Sequence, residues 1–437
     1  MRGKEKADCM LAFLQHVLTG HTVTKVNFDT SSSAPYRATS LSYSQGANNQ
    51  IYNVTATREI ILSAGSIGTP VILQHSGVAD KTLLQSAGVK QVIDLPGVGY
   101  HLQDHLATSV TFAPKDSTAK PAAQLTGNAQ QDSFVNSAIA YAGMQTLWGD
   151  YANNVSKQLQ DSVDQAVGTY DAPQSVKDGY RATYTKQVND IFNSGVGPIE
   201  LLFANSFGNI QVQCALQHPL SRGSVKITSN NPFDSPAIDA GYLSNNVDLE
   251  LLTEGVKLAR TVGQTSPLSD LLGSELTPGS GTNDDAAWAN YIASSAGTEY
   301  HPSCSCSMLP QELGGCVSPQ LIVYGTQNLR VIDASVPPLS VAAHLMTITY
   351  SLAEIGSDMI KAARNNVTYP GGQPINSDSA NGSSGGSSSG SSGGSGSNTG
   401  SSAQDSSGNS SGALAQATVG ALGLLTVTLS SLLAIVL

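Results

Sequence analysis

Between Arg58 and Val78 the chain reads as an apolar strand, Arg58 to Ser63, that runs into Ala64-Gly65. It continues as Gly65-Ser66-Ile67-Gly68-Thr69-Pro70-Val71-Ile72-Leu73-Gln74-His75-Ser76-Gly77-Val78. An apolar strand, a glycine turn and an amphipathic helix closed by Ser-Gly form one half of a nucleotide-binding α/β unit. Small residues let such a turn come close to a ligand. A second strand, Leu329 to Ile332, ends in Asp333-Ala334-Ser335; a Pro337-Pro338 turn follows, and a helix-like run begins near His344. A histidine at a helix start just beyond a strand end is placed to face a ligand at the edge of an open sheet. His301 stands ahead of this block, in Glu299-Tyr300-His301-Pro302-Ser303-Cys304-Ser305-Cys306.

The rest of the chain divides by pattern. Ala7 to Leu18 reads as a helix, while Thr22 to Phe28 and Ile51 to Ala56 alternate as strands. Ser156 to Gln187 has helical periodicity, a strand begins at Gly197-Pro198-Ile199-Glu200, and Asp248 to Val262 is an amphipathic helix. Ser377 to Ser411 is almost wholly Ser, Gly, Asn and Thr, which cannot bury a core and suits a flexible stalk. No charged residue follows Asp405, and Val419 to Leu437 is apolar. Small residues at Gly408 to Ser411, a short polar spacer and an apolar tail without basic residues match a GPI-attachment signal better than a transmembrane helix. The membrane is thus an expected partner through a GPI anchor. Such a signal implies secretion, yet Met1 to Lys6 is charged with no apolar stretch behind it. The expectation is that this sequence lacks its natural N-terminus.

The net charge of −11 is spread along the chain with no Lys/Arg-rich patch, so nucleic acid is not an expected partner. Asn53, Asn154, Asn366 and Asn381 each open an N-glycosylation triplet, as in a cell-surface glycoprotein. Of five cysteines, Cys304, Cys306 and Cys316 cluster. No CxxC pair occurs and no metal site is expected; a disulfide joining Cys304 or Cys306 to Cys316 is.

The segment from Gly65 to Val78 resembles the second sequence motif of the glucose-methanol-choline (GMC) flavin oxidoreductases, with Ala79 in place of its final glycine. Gly97-Val98-Gly99-Tyr100-His101-Leu102-Gln103-Asp104-His105 resembles the family's G-V-G-x-N-L-Q-D-H, with His101 for the asparagine. His218-Pro219-Leu220-Ser221-Arg222-Gly223-Ser224-Val225 is similar to its H-P-x-S-R-G-x-V turn, and the two histidine blocks are similar to its C-terminal part. The resemblance is to the fungal glucose oxidase and aryl-alcohol oxidase group and spans residues 7 to 364. It implies an α/β fold (α+β overall), with the remainder of an FAD-binding Rossmann-like domain over residues 1–106 and an antiparallel-sheet substrate domain over 107–310. Residues 311–364 return to the FAD domain, 365–412 form the disordered stalk, and 413–437 the apolar tail. No G-x-G-x-x-G occurs in the sequence, although the family places that fingerprint at its start.

The resemblance also implies a chemistry, an FAD-dependent oxidation of CH–OH groups in alcohols or sugars, with oxygen or a quinone as electron acceptor. Oxidising an alcohol removes a hydroxyl proton and a hydride, and histidine, with an unperturbed pKa of ~6.5, suits the proton. By resemblance His301 is the base, His344 the second catalytic histidine and Glu200 the carboxylate that orients it. Val23 would touch the adenine, Asp333 and Ala334 the ribityl-pyrophosphate, and His344 and Met346 the flavin edge. Gly297 and Ala215 stand where glucose oxidases carry Arg and Trp, which argues against tight glucose binding. The alternative is a catalytically silent, FAD-free remnant at the cell surface.

Overall fold

The computed structural model describes residues 16–115, 137–206 and 208–365. The helix expected over Ala7 to Leu18 falls mostly outside them. The expected stalk, but for Asn365, and the whole of the expected tail lie outside them.

The two strands read from the sequence pair with each other. Ile60–Leu62 and Leu329–Val331 run parallel, with Leu329 opposite Ile60 and Val331 opposite Leu62. Ile332 N–H extends the ladder to Leu62 O at 2.9 Å. Both strands are almost entirely buried, as parallel strands are when helices cover them. The helix Gly65–His75 follows the first strand directly. Asp333, at the end of the second, accepts Gly65 N–H at 2.9 Å and the Thr69 hydroxyl at 2.6 Å. One carboxylate therefore ties the start of the helix to the opposite strand, a contact that spans more than 260 positions of sequence.

The larger sheet is antiparallel, in the order Leu272–Thr277, Leu106–Pro114, Asn209–Leu216, Ile199–Ser206, Ser137–Ala142. Gly297–Thr298 also pairs with Leu106–Pro114. The helix Asn246–Gly263, N-capped by the Asn245 side chain on Val247 N–H, lies against it. Gly255 makes that approach possible, since a Cβ there would meet Cys214 Sγ at 2.4 Å and Ile199 Cγ2 at 3.0 Å. A three-stranded meander, Thr22–Asp29, Arg37–Ser44 and Tyr52–Thr55, packs instead with the Gly65–His75 helix.

Two hydrophobic cores result. One is built from residues between Leu106 and Ile292, around the large sheet. The other joins Val23 to Val98 with Cys306 to Leu352, so the chain leaves this core, builds the other and returns. The return is closed by a Cys306–Cys316 disulfide, while Cys304 and Cys214 are buried free thiols. The helical stretch expected over 156–187 is three helices, Ala152–Asp161, Val163–Thr169 and Gln174–Lys186. It breaks near Ser162, which hydrogen-bonds Leu159 O, and at Pro173, which has no N–H to give a preceding helix and stands just ahead of the helix Gln174–Lys186.

Candidate active site

The segment carrying His301 is held by backbone on both flanks. On one, Glu299 N–H donates to His105 O at 2.9 Å, and Gln103 and Ser303 exchange N–H···O bonds of 3.1 and 2.8 Å. On the other, Cys304 N–H donates to Ala334 O at 3.0 Å and Cys306 N–H to Ser335 O at 2.8 Å. The Ser66 hydroxyl reaches Pro302 O at 2.7 Å, which joins the same segment to the first turn of the Gly65–His75 helix. Asp104 fixes the residue itself: its Oδ1 accepts His301 N–H at 2.9 Å, and its Oδ2 accepts the Tyr242 and Thr298 hydroxyls, each at 2.5 Å.

His344 arrives from the third direction, just ahead of the helix Met346–Arg364. Its loop is pinned through Ser340, whose N–H donates to Gln103 Oε1 at 3.1 Å. The carbonyl of Ser340 lies 2.9 Å from His218 Nδ1, and its hydroxyl lies 2.9 Å from His105 Nε2. His218 is deeply placed, and burial pushes its imidazole down to about 4, so it holds the loop as a neutral ring. The family-like turn around His218 thus supports the site from behind.

These anchors bring the rings together. The His301 and His344 centroids are 5.0 Å apart, edge to face, and His105 lies 5.0 Å from His301 on its other side. His344 Nε2 is 3.2 Å from Oε1 of Glu200, which projects from the strand Ile199–Ser206 and is fully buried. His344 keeps 44 % of its side chain exposed and His301 14 %, so both line an accessible surface. A carboxylate behind an imidazole fixes its tautomer and stabilises its protonated form.

Glu299 joins the cluster and was not singled out from the sequence. Its Oε2 lies 3.5 Å from Nδ1 of both His105 and His301. Burial raises its carboxyl, but the two imidazoles outweigh that and hold it down at about 2. This separation is longer than an ordinary hydrogen bond, and neither carboxylate oxygen has another partner. Its place two residues before His301 is the whole of the local signal, because Tyr300 between them has a left-handed φ of 62° and no strand alternation puts the two on one face. Ligand-type atoms of His105, Glu299 and His301, and of Glu200, Glu299 and His344, lie within 4.8 Å of one another, a spacing that would also admit a cation.

The residues expected at a cofactor are placed as follows. Met346 is 72 % exposed, so core filling does not account for it. It opens a 19-residue helix with no side-chain cap and no acidic residue in its first turn, which leaves N–H donors at that end. Ala334 is half-buried and its carbonyl is engaged by Cys304. Asp333 is buried, and its other oxygen accepts Ser335 N–H at 2.8 Å and the Ser335 hydroxyl at 2.5 Å. With four bonds already made, its carboxylate is committed to the fold, and its backbone is what remains for a ligand. Val23 sits on the meander opposite Tyr43, its side chain packed in the second core, whereas the site histidines lie on loops outside any strand. Ala215 is fully buried opposite Glu200, while Gly297 is exposed with nothing within 4 Å of its Cβ position. A cleft lined by Val155, Leu159, Ala166 and Asn245 contains none of the cluster residues.

Two models described as GMC oxidoreductase match the chain, over residues 10–107 and 219–353. The GMC oxidoreductase family protein Mala s 12 of Malassezia sympodialis is 45 % identical over 345 residues, covering 79 % of this chain and 56 % of that protein. Glucose oxidase 1 of Penicillium expansum is 33 % identical, covering 79 % of this chain and 55 % of its own length. Among solved structures, an FAD-dependent oxidoreductase from Chaetomium thermophilum superposes with a TM-score of 0.73 at 27 % identity, covering 80 % of this chain and 62 % of the other. A fungal aryl-alcohol oxidase gives 0.69 at 28 % identity, covering 78 % and 60 %. The chain thus spans little more than half the length of the curated relatives it matches.

Proposed function

We propose a function from one premise: this chain belongs to the GMC oxidoreductase family. The reading is FAD-dependent oxidation of a CH–OH group in a small alcohol or sugar, with oxygen or a quinone as final electron acceptor. The observation that carries it is the facing pair His301 and His344, 5.0 Å apart, with the buried Glu200 behind the second ring.

The residues present fit the cofactor. The uncapped, exposed start of the Met346–Arg364 helix, next to His344, would offer N–H donors to the electron-rich part of the flavin. Gly65, with a φ of 77° and nothing within 4 Å of its Cβ position, leaves open space at the strand–helix turn. We place Met346, His344 and the backbone of Asp333 and Ala334 at the cofactor, and Val23 at the adenine through its backbone. When bound, FAD supplies the two-electron acceptor that amino-acid side chains cannot.

The chain's own residues handle the proton. His301 takes it from the substrate hydroxyl as the C–H bond is broken, leaving a carbonyl and an imidazolium. His344 holds the same oxygen, and Glu200 keeps that ring in one tautomer. The loss of Arg and Trp at Gly297 and Ala215 favours an aromatic or aliphatic primary alcohol over glucose.

Steady-state oxidation of a panel of alcohols and sugars tests this reading. His301→Ala is expected to lower turnover at least about 100-fold while FAD absorbance is retained. Unchanged turnover would remove His301 from the mechanism. We also propose display at the cell surface through a GPI anchor. The apolar tail beyond Asp405 and the exposed acceptor residues Asn53 and Asn154 support that placement. No helix among the described residues is long and apolar enough to cross a membrane. Release from cells by phosphatidylinositol-specific phospholipase C is the expected result, and retention would contradict it.

A further inference from the structure

We propose that Glu299 is a positioning residue for the base: a carboxylate set between the Nδ1 atoms of His105 and His301 that holds both rings with Nδ1–H towards it, so that His301 presents an unprotonated Nε2 to the substrate. This rests on the assignment of His301 as base but concerns a residue outside that assignment.

The geometry is built for the purpose. Glu299 Oε2 is 3.5 Å from each Nδ1, and the side chains of His105, Glu299 and His301 are 0, 7 and 14 % exposed. Both Nδ1 atoms and both Glu299 oxygens are buried and have no other hydrogen-bond partner. On His105 the opposite nitrogen is 2.9 Å from the Ser340 hydroxyl, which leaves Nδ1 as the nitrogen turned to Glu299. The backbone prevents escape: Glu299 N–H is bonded to His105 O, and His301 N–H to Asp104. Between them Tyr300 takes a left-handed φ of 62°.

Charge balance explains why the carboxylate helps. Glu200 and Glu299 both approach His344, with the three ligand-type atoms within 4.8 Å, so two buried carboxylates face three imidazoles, those of His105, His301 and His344. Asp104 spends its charge on backbone and hydroxyl donors; Tyr141 lies opposite Glu200, and Cys214 and His218 complete the titratable surroundings. When His301 accepts the hydroxyl proton, its new positive charge appears beside an existing negative one. Glu299 thereby stabilises the proton-bearing state without touching substrate, and long contacts of this kind tighten once the site is loaded.

The test is Glu299→Gln, which keeps shape and removes charge. Long-range ¹H–¹⁵N histidine spectra of the substrate-free protein are expected to show His301 and His105 as Nδ1–H tautomers, with the His301 population moving towards Nε2–H in E299Q. In kinetics kcat is expected to fall about 10- to 100-fold with little change in KM, and the acidic limb of the pH profile to move. An Nε2–H tautomer of His301 in the unmodified protein would overturn the proposal, and this can be read even if the variant does not fold. So would an E299Q enzyme with unchanged tautomer, kcat and pH profile. If the tautomer responds but no alcohol is oxidised, the positioning role stands and the proposed reaction falls.

Discussion

Glu200 and Glu299 are both nearly inaccessible, yet they shape the site in different ways. Glu200 faces one ring, and its second oxygen has no partner. Glu200→Gln should keep the fold and lower alcohol turnover roughly 100-fold, read by steady-state kinetics, because the second histidine loses its fixed tautomer. Glu299 also links the site to stability. Its folded carboxyl is depressed to about 2 from an ordinary 4.5, so its contribution is present above pH ~4.5 and is lost as the pH falls towards 2. Denaturant unfolding between those limits should show the native protein losing up to roughly 3 kcal/mol more than E299Q. The free thiols behave oppositely: burial pushes Cys304 up to about 12 and raises Cys214 as well. Neither should be alkylated by iodoacetamide at neutral pH in the folded state, as peptide mass spectrometry would show.

At the level of elements, the sequence was most readable where periodicity and punctuation agree. Asp248 to Val262 is the core of the helix Asn246–Gly263, and the expected strand Thr22 to Phe28 extends by one residue. Pairing was not readable. Nothing local in Ile60–Leu62 names Leu329–Val331 as its neighbour, because that choice is made by tertiary burial. His344, Glu200 and His301 could be picked out by resemblance, whereas Glu299 and Asp104 emerge only when three separate segments are brought together. Gly255 is the element-scale weak point, because it lets a helix lie close against the strand that carries Glu200. Gly255→Ala overpacks against Cys214 and Ile199 and should cost roughly 1–3 kcal/mol, measured as a fall in unfolding midpoint.

For the whole molecule, the important feature is that one core is made from two distant stretches of chain, with the site where the returning stretch meets the large sheet. The Cys306–Cys316 bond closes a short loop within that return, and the sequence had left its partner open between Cys304 and Cys306. Its reduction should lower stability by roughly 2–3 kcal/mol, seen as an earlier chemical-unfolding transition under reducing conditions. The proposed chemistry depends on His301 accepting the hydroxyl proton of an alcohol, at a site where FAD would supply the two-electron acceptor. Anaerobic mixing of the flavin-loaded protein with a primary alcohol, followed by absorbance, tests this most directly. Rapid bleaching of the flavin bands is expected in the unmodified protein and almost none in His301→Ala at equal flavin content; bleaching at the same rate in both would contradict proton transfer to His301.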